Sequence, residues 1–552
     1  WGEAQYFLLP KLPQSKISNK TKQLIPVLIR KFETYTEATF CSAYTQSGGT
    51  VTSSLPLPNV LSDNAWKKLI LSPKERVNRG TWVQRSKDIV AESSIEQFSS
   101  SLDHAVKNQP IRFANLALSL PKSINSKYIQ GFYWGLAETD VSRVNEAYKD
   151  NWSICPPELT EKVINHFNNE ECVSSLVRLL QKRIKEKNWS DEAINILIFL
   201  AKNAIDPEPD KLNIRDMKKS EFAHDSDTRA LMSNAINCDR GIAFRGVSHL
   251  FWDNEERASG LQYLIQTAID DPHPAVNIVA LDLLLPWFNY DKSFALKTFI
   301  ALCNKDLRMT LGHGAYYFFN SGFEGEYQSD FVNLVLRMLD SSFEDIQKEA
   351  ARQVFARWFF NDLFQVQLDK VMQGNEKYRE GVASVMAQFL RENKYQDRFH
   401  KIPSVYALLV NDESKNVLRT VGNCVGNENF WNSIISAEIF NIFVNSKAAL
   451  LCLYELFDAL EKHGGSLLDY QTQLLQLVNN LTSSDSSKDE IQGIHIRESS
   501  LIKILQRLYD EATDDENNDA INICLDIWDK LLCSEVYSAI NASKELEGGL
   551  LS

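Results

Sequence analysis

DPHPAVNIVALDLLL, residues 271–285, is the stretch whose reading decides the fold. A small polar turn opens it, and an apolar run at helical spacing follows (Val276, Ala280, Leu284). The same design recurs upstream at Asn237 (NCDRGIAFRGVSHLF). Downstream it recurs at Asn304 (NKDLRMTLGHGAYYFF), Ser341 (SSFEDIQKEAARQVFARWF), Gln373 (QGNEKYREGVASVMAQFL) and Asn411 (NDESKNVLRTVGNCV). Successive starts differ by 34, 33, 37, 32 and 38 residues. A drifting period of about thirty-five is what a stack of helical hairpins produces. The expected fold is all-α: a curved α-solenoid of antiparallel helix pairs. Such a stack offers a surface for holding something more readily than a pocket for a reaction.

Outward from this array the pattern loosens. Residues 1–60 read as a connector with one amphipathic helix over 21–40 (Leu24, Leu28, Phe32, Tyr35) and a loop from Thr45 to Pro58. Residues 61–223 read as irregular helical repeats. Ser62 or Asp63, Ser94 with Gln97, and Asn125 or Ser126 stand where caps belong, and Pro110 stands where a helix can start. Two further helices are expected around 160–185 and 190–204, then a long exposed loop from Asp206 to Ala223. The regular array occupies 224–430. Ala243, Ala280, Ala315, Ala350 and Ala383 fall at corresponding places, where small side chains permit close helix approach. Residues 431–552 read as capping helices, because the cadence fades there.

Composition narrows the function. The formal charge of −13 argues against nucleic acid as the main ligand, since phosphate binding needs clustered Lys and Arg. The nine cysteines include no Cys-x-x-Cys pair, so neither a zinc ribbon nor a disulfide scaffold is expected, and buried free thiols in a cytoplasmic protein are. No signal peptide and no membrane-length apolar run are present. No phosphate-loop string, His-Glu-x-x-His or Gly-x-Ser-x-Gly occurs, so no catalytic residue, metal or cofactor is assigned to this chain. Aromatic residues make up 11% of it, enough to supply both core and binding anchors. Arg245, Trp252, Trp287, Arg308, His313, Tyr316, Tyr317 and Trp358 fall inside the array and are the candidate binding residues. The glycines flanking His313 are expected to leave its turn open to a partner.

Four strings carry a family resemblance: VLSDNAWKKLI (60–70), SSSLDHAVKNQPIRFANLALSLPKSINSKYIQGFYWGLAE (99–138), NAINCDRGIAFRGVSHLFW (234–252) and DDPHPAVNIVALDLLL (270–285). In this order they resemble the carboxy-terminal helical region of bacterial NACHT-type STAND NTPases, including those of antiviral (antiphage) defence. Pro110, Arg112, Phe113, Ala114, Leu116, Ala117, Leu118, Pro121, Asn125 and Tyr128 match that pattern, as do Asn237, Arg240, Gly241 and Ala243. The resemblance implies HEAT-like or TPR-like repeats acting as a sensor. Its ligand would be a protein, from a phage in defence members. Binding would activate a linked NTPase module that holds ATP and Mg, with oligomer formation on activation. That module is absent from these 552 residues, and a start at Trp1 fits a carboxy-terminal piece of something larger. The competing expectation is a stand-alone HEAT-type interaction scaffold or adaptor.

Overall fold

The computed structural model describes residues 9, 17–31, 50–53, 55, 60–72, 82–86, 89–92, 94–167, 169–208, 228–482, 498–534 and 536–550. The chain divides into two compact units, Trp1–Leu179 and Leu180–Ser552, and the division falls inside the 61–223 stretch. The fold is helical, and the one sheet among the described residues is small.

In the first unit the caps follow the chemistry of the sequence. Ser62 accepts from the Ala65 N–H, Ser94 from Gln97 and Asn125 from Lys127, each satisfying a donor that the first helical turn leaves open. Pro110 begins helix Pro110–Leu118, where its missing N–H costs nothing. Trp66 and Phe113 meet edge to face, 6.1 Å between centroids. Arg112 ties the neighbouring turn down by donating to Asp63 Oδ1 (2.8 Å) and to the Leu61 carbonyl (2.6 Å). The residues that carry the family resemblance are therefore core and braces here: Phe113, Ala114, Leu116 and Ala117 are all buried.

Three expectations for this unit are corrected. A three-stranded sheet is present, made of β1 (Thr50–Ser53), β2 (Trp82–Ser86) and β3 (Ile89–Glu92), in the order β1-β3-β2. β1 runs parallel to β3 and β2 antiparallel to it, so part of the expected Thr45–Pro58 loop is a strand. β-branched residues (Thr50, Val51, Thr52) favour that conformation. The helix expected around 160–185 is two, Pro157–Phe167 and Val173–Arg183. Between them the Asn169 side chain accepts from the Glu171 N–H at 2.8 Å, a local bond that competes with helix continuation. The helix expected over 21–40 is seen as Asn19–Lys31 with Leu28 buried, while Phe32 and Tyr35 lie outside the described residues.

The second unit is a solenoid of helix pairs. One row consists of Asp239–Asp253, Ala280–Leu284, Ala315–Gly322, Glu344–Asn361, Glu376–Glu392, Lys415–Gly422, Leu453–Lys462 and Glu498–Asp514. Tyr263–Asp270, Lys292–Lys305, Gln328–Leu339, Gln365–Gln373, Ile402–Leu409, Ser436–Val444, Gln471–Leu481 and Asn518–Cys533 alternate with these as a second row. In the first row Asp239–Asp253 packs on Ala280–Leu284, the 3₁₀ turn Leu307–Leu311 on Glu344–Asn361, that helix on Glu376–Glu392, and Glu376–Glu392 on Lys415–Gly422; in the second, Ile402–Leu409, Ser436–Val444, Gln471–Leu481 and Asn518–Cys533 pack in succession. This nearest-neighbour order defines a repeat stack. It continues past residue 430, where the sequence loses its cadence, so the expected capping helices are further pairs.

The seam between repeats is apolar. Val276, Ala280, Leu284, Ala350, Val354, Leu390, Val417 and Val421 are all fully buried, and so are the small residues Ala243, Ala315 and Ala383. Polar braces cross from one repeat to the next. Arg240 donates to both carboxylate oxygens of Asp271 (2.8 and 3.1 Å) and to the Ala204 and Ile205 carbonyls. Arg379 makes the matching two-pronged contact with Asp412, and Lys348 pairs with Glu380. Asn277 donates to the carbonyls of Ala268, Ile269 and Asp271, fixing its turn. The cysteines pack as hydrophobes: seven of the eight described are buried. Burial pushes the Cys238, Cys424 and Cys452 thiols up to about 12. No helix among the described residues is long and apolar enough to cross a membrane.

Candidate interaction surface

Helix Asp239–Asp253 buries most of its circumference, including Ile242, Ala243, Phe244, Val247, Leu250 and Phe251. What it leaves outward is one stripe, Arg245, His249 and Trp252, spaced four and three residues apart as the 3.6-residue period requires. Trp252 is 51% exposed. The next first-row helix contributes Asp282, a lone acid in an otherwise apolar run. The one after, Ala315–Gly322, carries Tyr316 and Tyr317 in its first turn, with His313 in the turn just before it.

Asp282 joins the three helices. Its Oδ2 accepts from Arg245 Nε at 3.1 Å, and its Oδ1 lies 3.4 Å from His313 Nδ1. His313 remains 72% exposed and Arg245 40%, whereas Asp282 is largely covered. Tyr316 and Tyr317 are each about half exposed, with ring centroids 4.0 Å apart. The hydrogen bond with Tyr317 is the first cause holding the Tyr316 phenol above its ordinary value. Four of the expected residues (Arg245, His313, Tyr316, Tyr317) thus fall on neighbouring first-row segments, with Trp252 two turns along from Arg245. The sequence reading missed Asp282, although a single carboxylate inside VALDLLL is a signal that a partner must be near.

The glycines beside His313 serve packing, which corrects the expectation of a turn left open by them. A Cβ on Gly312 would lie 2.1 Å from Leu281 Cδ1, so the bare glycine lets the chain approach helix Ala280–Leu284 without displacing that side chain. Gly314 has φ +83°, the left-handed region that glycine adopts without strain, and abuts Leu285. These close approaches seat the start of helix Ala315–Gly322 and so fix where His313, Tyr316 and Tyr317 emerge.

The remaining candidates separate from this cluster. Trp287 is buried against Tyr290 and Phe294 and cannot serve as an anchor; its large ring fills the core at the pair's second turn. Arg308 closes on Asp306 two residues earlier, through Nε (3.0 Å) and Nη2 (2.7 Å) to Oδ2, so its guanidinium is occupied within its own turn. Trp358 is half-buried, donates to Gln365 Oε1 at 2.6 Å and lies under the Lys401 ammonium, so it is held between its own helix end and its neighbours.

Among the described residues no group of three or more His, Cys, Asp or Glu could hold a metal ion. Of the exposed aromatics on the two rows, Trp252, Tyr316, Tyr317, Tyr454 and Tyr509 stand on the first and Tyr263 on the second, while Phe199 and Tyr537 stand on helices outside both.

No protein-family model matches the chain, and no curated protein is significantly similar to it. Among solved structures it is similar to yeast importin-β (Kap95p), with a TM-score of 0.39 and 12% identity, over 88% of this chain and 70% of that one. It is also similar to the Kap95p structure describing RanGDP switch loops and nuclear import complex assembly, with a TM-score of 0.37 and 11% identity over the same shares. At TM-scores this low, the solenoid assignment rests on the packing order of the helices themselves.

Proposed function

We propose that the chain is a helical-repeat scaffold that binds a protein partner through the first-row face of its second unit. The observation that carries this is the placing of exposed Trp252, Tyr316, Tyr317 and Arg245 on two helices of one row, on either side of Ala280–Leu284. Trp, Tyr and Arg are the residue types that dominate protein-binding hot spots. An extended stack supplies the surface without a deep pocket.

A finer form of the proposal rests on the sequence resemblance alone. In it the partner is a phage protein, and binding activates a linked NTPase of the STAND type. Its ligand must bind the active state better than the resting one for the equilibrium to move.

The test is paired capture. A partner retained by the unaltered chain should be lost with Trp252→Ala/Tyr317→Ala and kept with Val366→Ala/Leu408→Ala on the second row, all variants melting alike. Retention by the first-row variant would remove this surface. For the finer form, the complete natural gene carrying the first-row variant should fail to protect cells against phage. Full protection would dismiss it.

A further inference from the structure

We infer that the Arg245–Asp282–His313 cluster is a docking point for a carboxylate on the partner, and that the segment it receives is an acidic peptide stretch with apolar neighbours. This rests on the first-row face being the binding surface and names the chemistry of what binds there.

The starting point is how the arginines of this row are used. Arg240 and Arg379 each spend the guanidinium fork on an aspartate of the next repeat, two prongs on two oxygens. Arg245 does not. Only its Nε donates, to Asp282 Oδ2, and its two terminal amino groups meet no acceptor among the described residues. The side chain is 40% exposed, so solvent and a ligand can reach it. A planar fork with free terminal donors matches a carboxylate in geometry and charge.

The surroundings favour the same ligand. Asp282 is the carboxylate that both bases share, and it sits beneath them, largely covered, while His313 stands 72% exposed. An incoming carboxylate therefore meets the Arg245 donors first, and the acid behind them is already engaged. Over 344–426 of the same row, Lys348 and Lys377 pair with Glu380 and Arg379 with Asp412. The apolar part of the segment is read from Trp252, Tyr316 and Tyr317, whose exposed rings flank the cluster and offer flat contact area at low entropic cost.

The chain as a whole carries −13, so its general field repels an acidic peptide. A preference for one must come from a local patch, which makes charge the deciding readout. The probes are three fluorescein-labelled peptides of equal length, each with two tryptophans, differing only in carrying Glu, Gln or Lys at the same positions. Fluorescence anisotropy on the full chain should show the Glu peptide binding about tenfold more tightly than the Gln peptide, with the Lys peptide weakest. Arg245→Gln, in a chain whose circular dichroism still shows the folded helices, should erase the Glu-over-Gln preference. His313→Gln should reduce it partway. Equal binding of Glu and Gln peptides, a preference for Lys, or a Glu preference that survives Arg245→Gln would each overturn the inference. The surface reading fails separately: it falls if Trp252→Ala/Tyr317→Ala leaves binding of all three peptides unchanged.

Discussion

Two stretches of the same helix row, 239–322 and 344–426, share a period and differ in what they show to solvent. In the second, two leading helices are long and continuous, Glu344–Asn361 and Glu376–Glu392, at 18 and 17 residues, ahead of the short Lys415–Gly422. They carry ion pairs, two of which, Lys348–Glu380 and Arg379–Asp412, cross to the next repeat. In the first, the leading elements after Asp239–Asp253 are broken into short pieces: Pro274–Asn277, Ala280–Leu284, a 3₁₀ turn at Leu307–Leu311, and Ala315–Gly322. Glycines let these pieces press together, and the outward residues include the aromatic Trp252, Tyr316 and Tyr317. One repeat plan therefore supports two surfaces: a continuous helix presents a periodic charged stripe, whereas a broken one can group side chains at its starts. The stretch with broken helices is the one proposed to bind.

The seam is what the two stretches should have in common, and testing it carries the largest expected effect. Val276→Asp and Val354→Asp each place an unpaired charge in a fully buried site and should each cost about 4 kcal/mol or more in denaturant unfolding. A large cost in one stretch and little in the other would break the shared plan.

The braces come next. Arg240→Ala leaves Asp271 covered and without its fork partner, and should cost about 3 kcal/mol. Arg379→Ala, whose side chain is more exposed, should cost less by the same measurement. The reverse order would show that the two braces are not equivalent devices.

Glycine sharpens the contrast. A methyl on Gly381 meets the Lys348 carbonyl oxygen at 2.3 Å, which is backbone of a continuous helix and cannot turn aside. A methyl on Gly312 meets the end of the Leu281 side chain, which can rotate. Gly381→Ala should therefore lower stability by about 2–3 kcal/mol and Gly312→Ala by about 1 kcal/mol. Equal costs in thermal melts would mean that the broken stretch is packed as rigidly as the continuous one.

The smallest expected effect belongs to the surface. Tyr317→Ala should change stability by no more than about 0.5 kcal/mol, because half the ring is already in solvent. A substantially larger loss would recast the tyrosine pair as core.

Much of this was legible in the chain itself, and the legible parts are local. The period of the openings, the caps at Ser62, Ser94 and Asn125, the proline start at Pro110 and the buried members of the seam all follow from residues within one helix or turn of each other. Backbone donors and the 3.6-residue repeat impose the same demands wherever a helix lies. Whether a given aromatic points in or out was not legible. Trp252 and Trp287 occupy similar apolar runs, yet one is half in solvent and the other buried, because packed neighbours cover Trp287 and leave Trp252 open. The same holds for Asp282, whose partners Arg245 and His313 are 37 residues before and 31 after it in the chain. It holds too for the glycines beside His313, whose purpose is set by Leu281 and Leu285 on the preceding helix, and for β1, whose ladder partner begins at Ile89. The sequence by itself determined the repeat and its buried seam. The tertiary structure decided the surface, because exposure and pairing depend on which distant residues the stacking brings alongside.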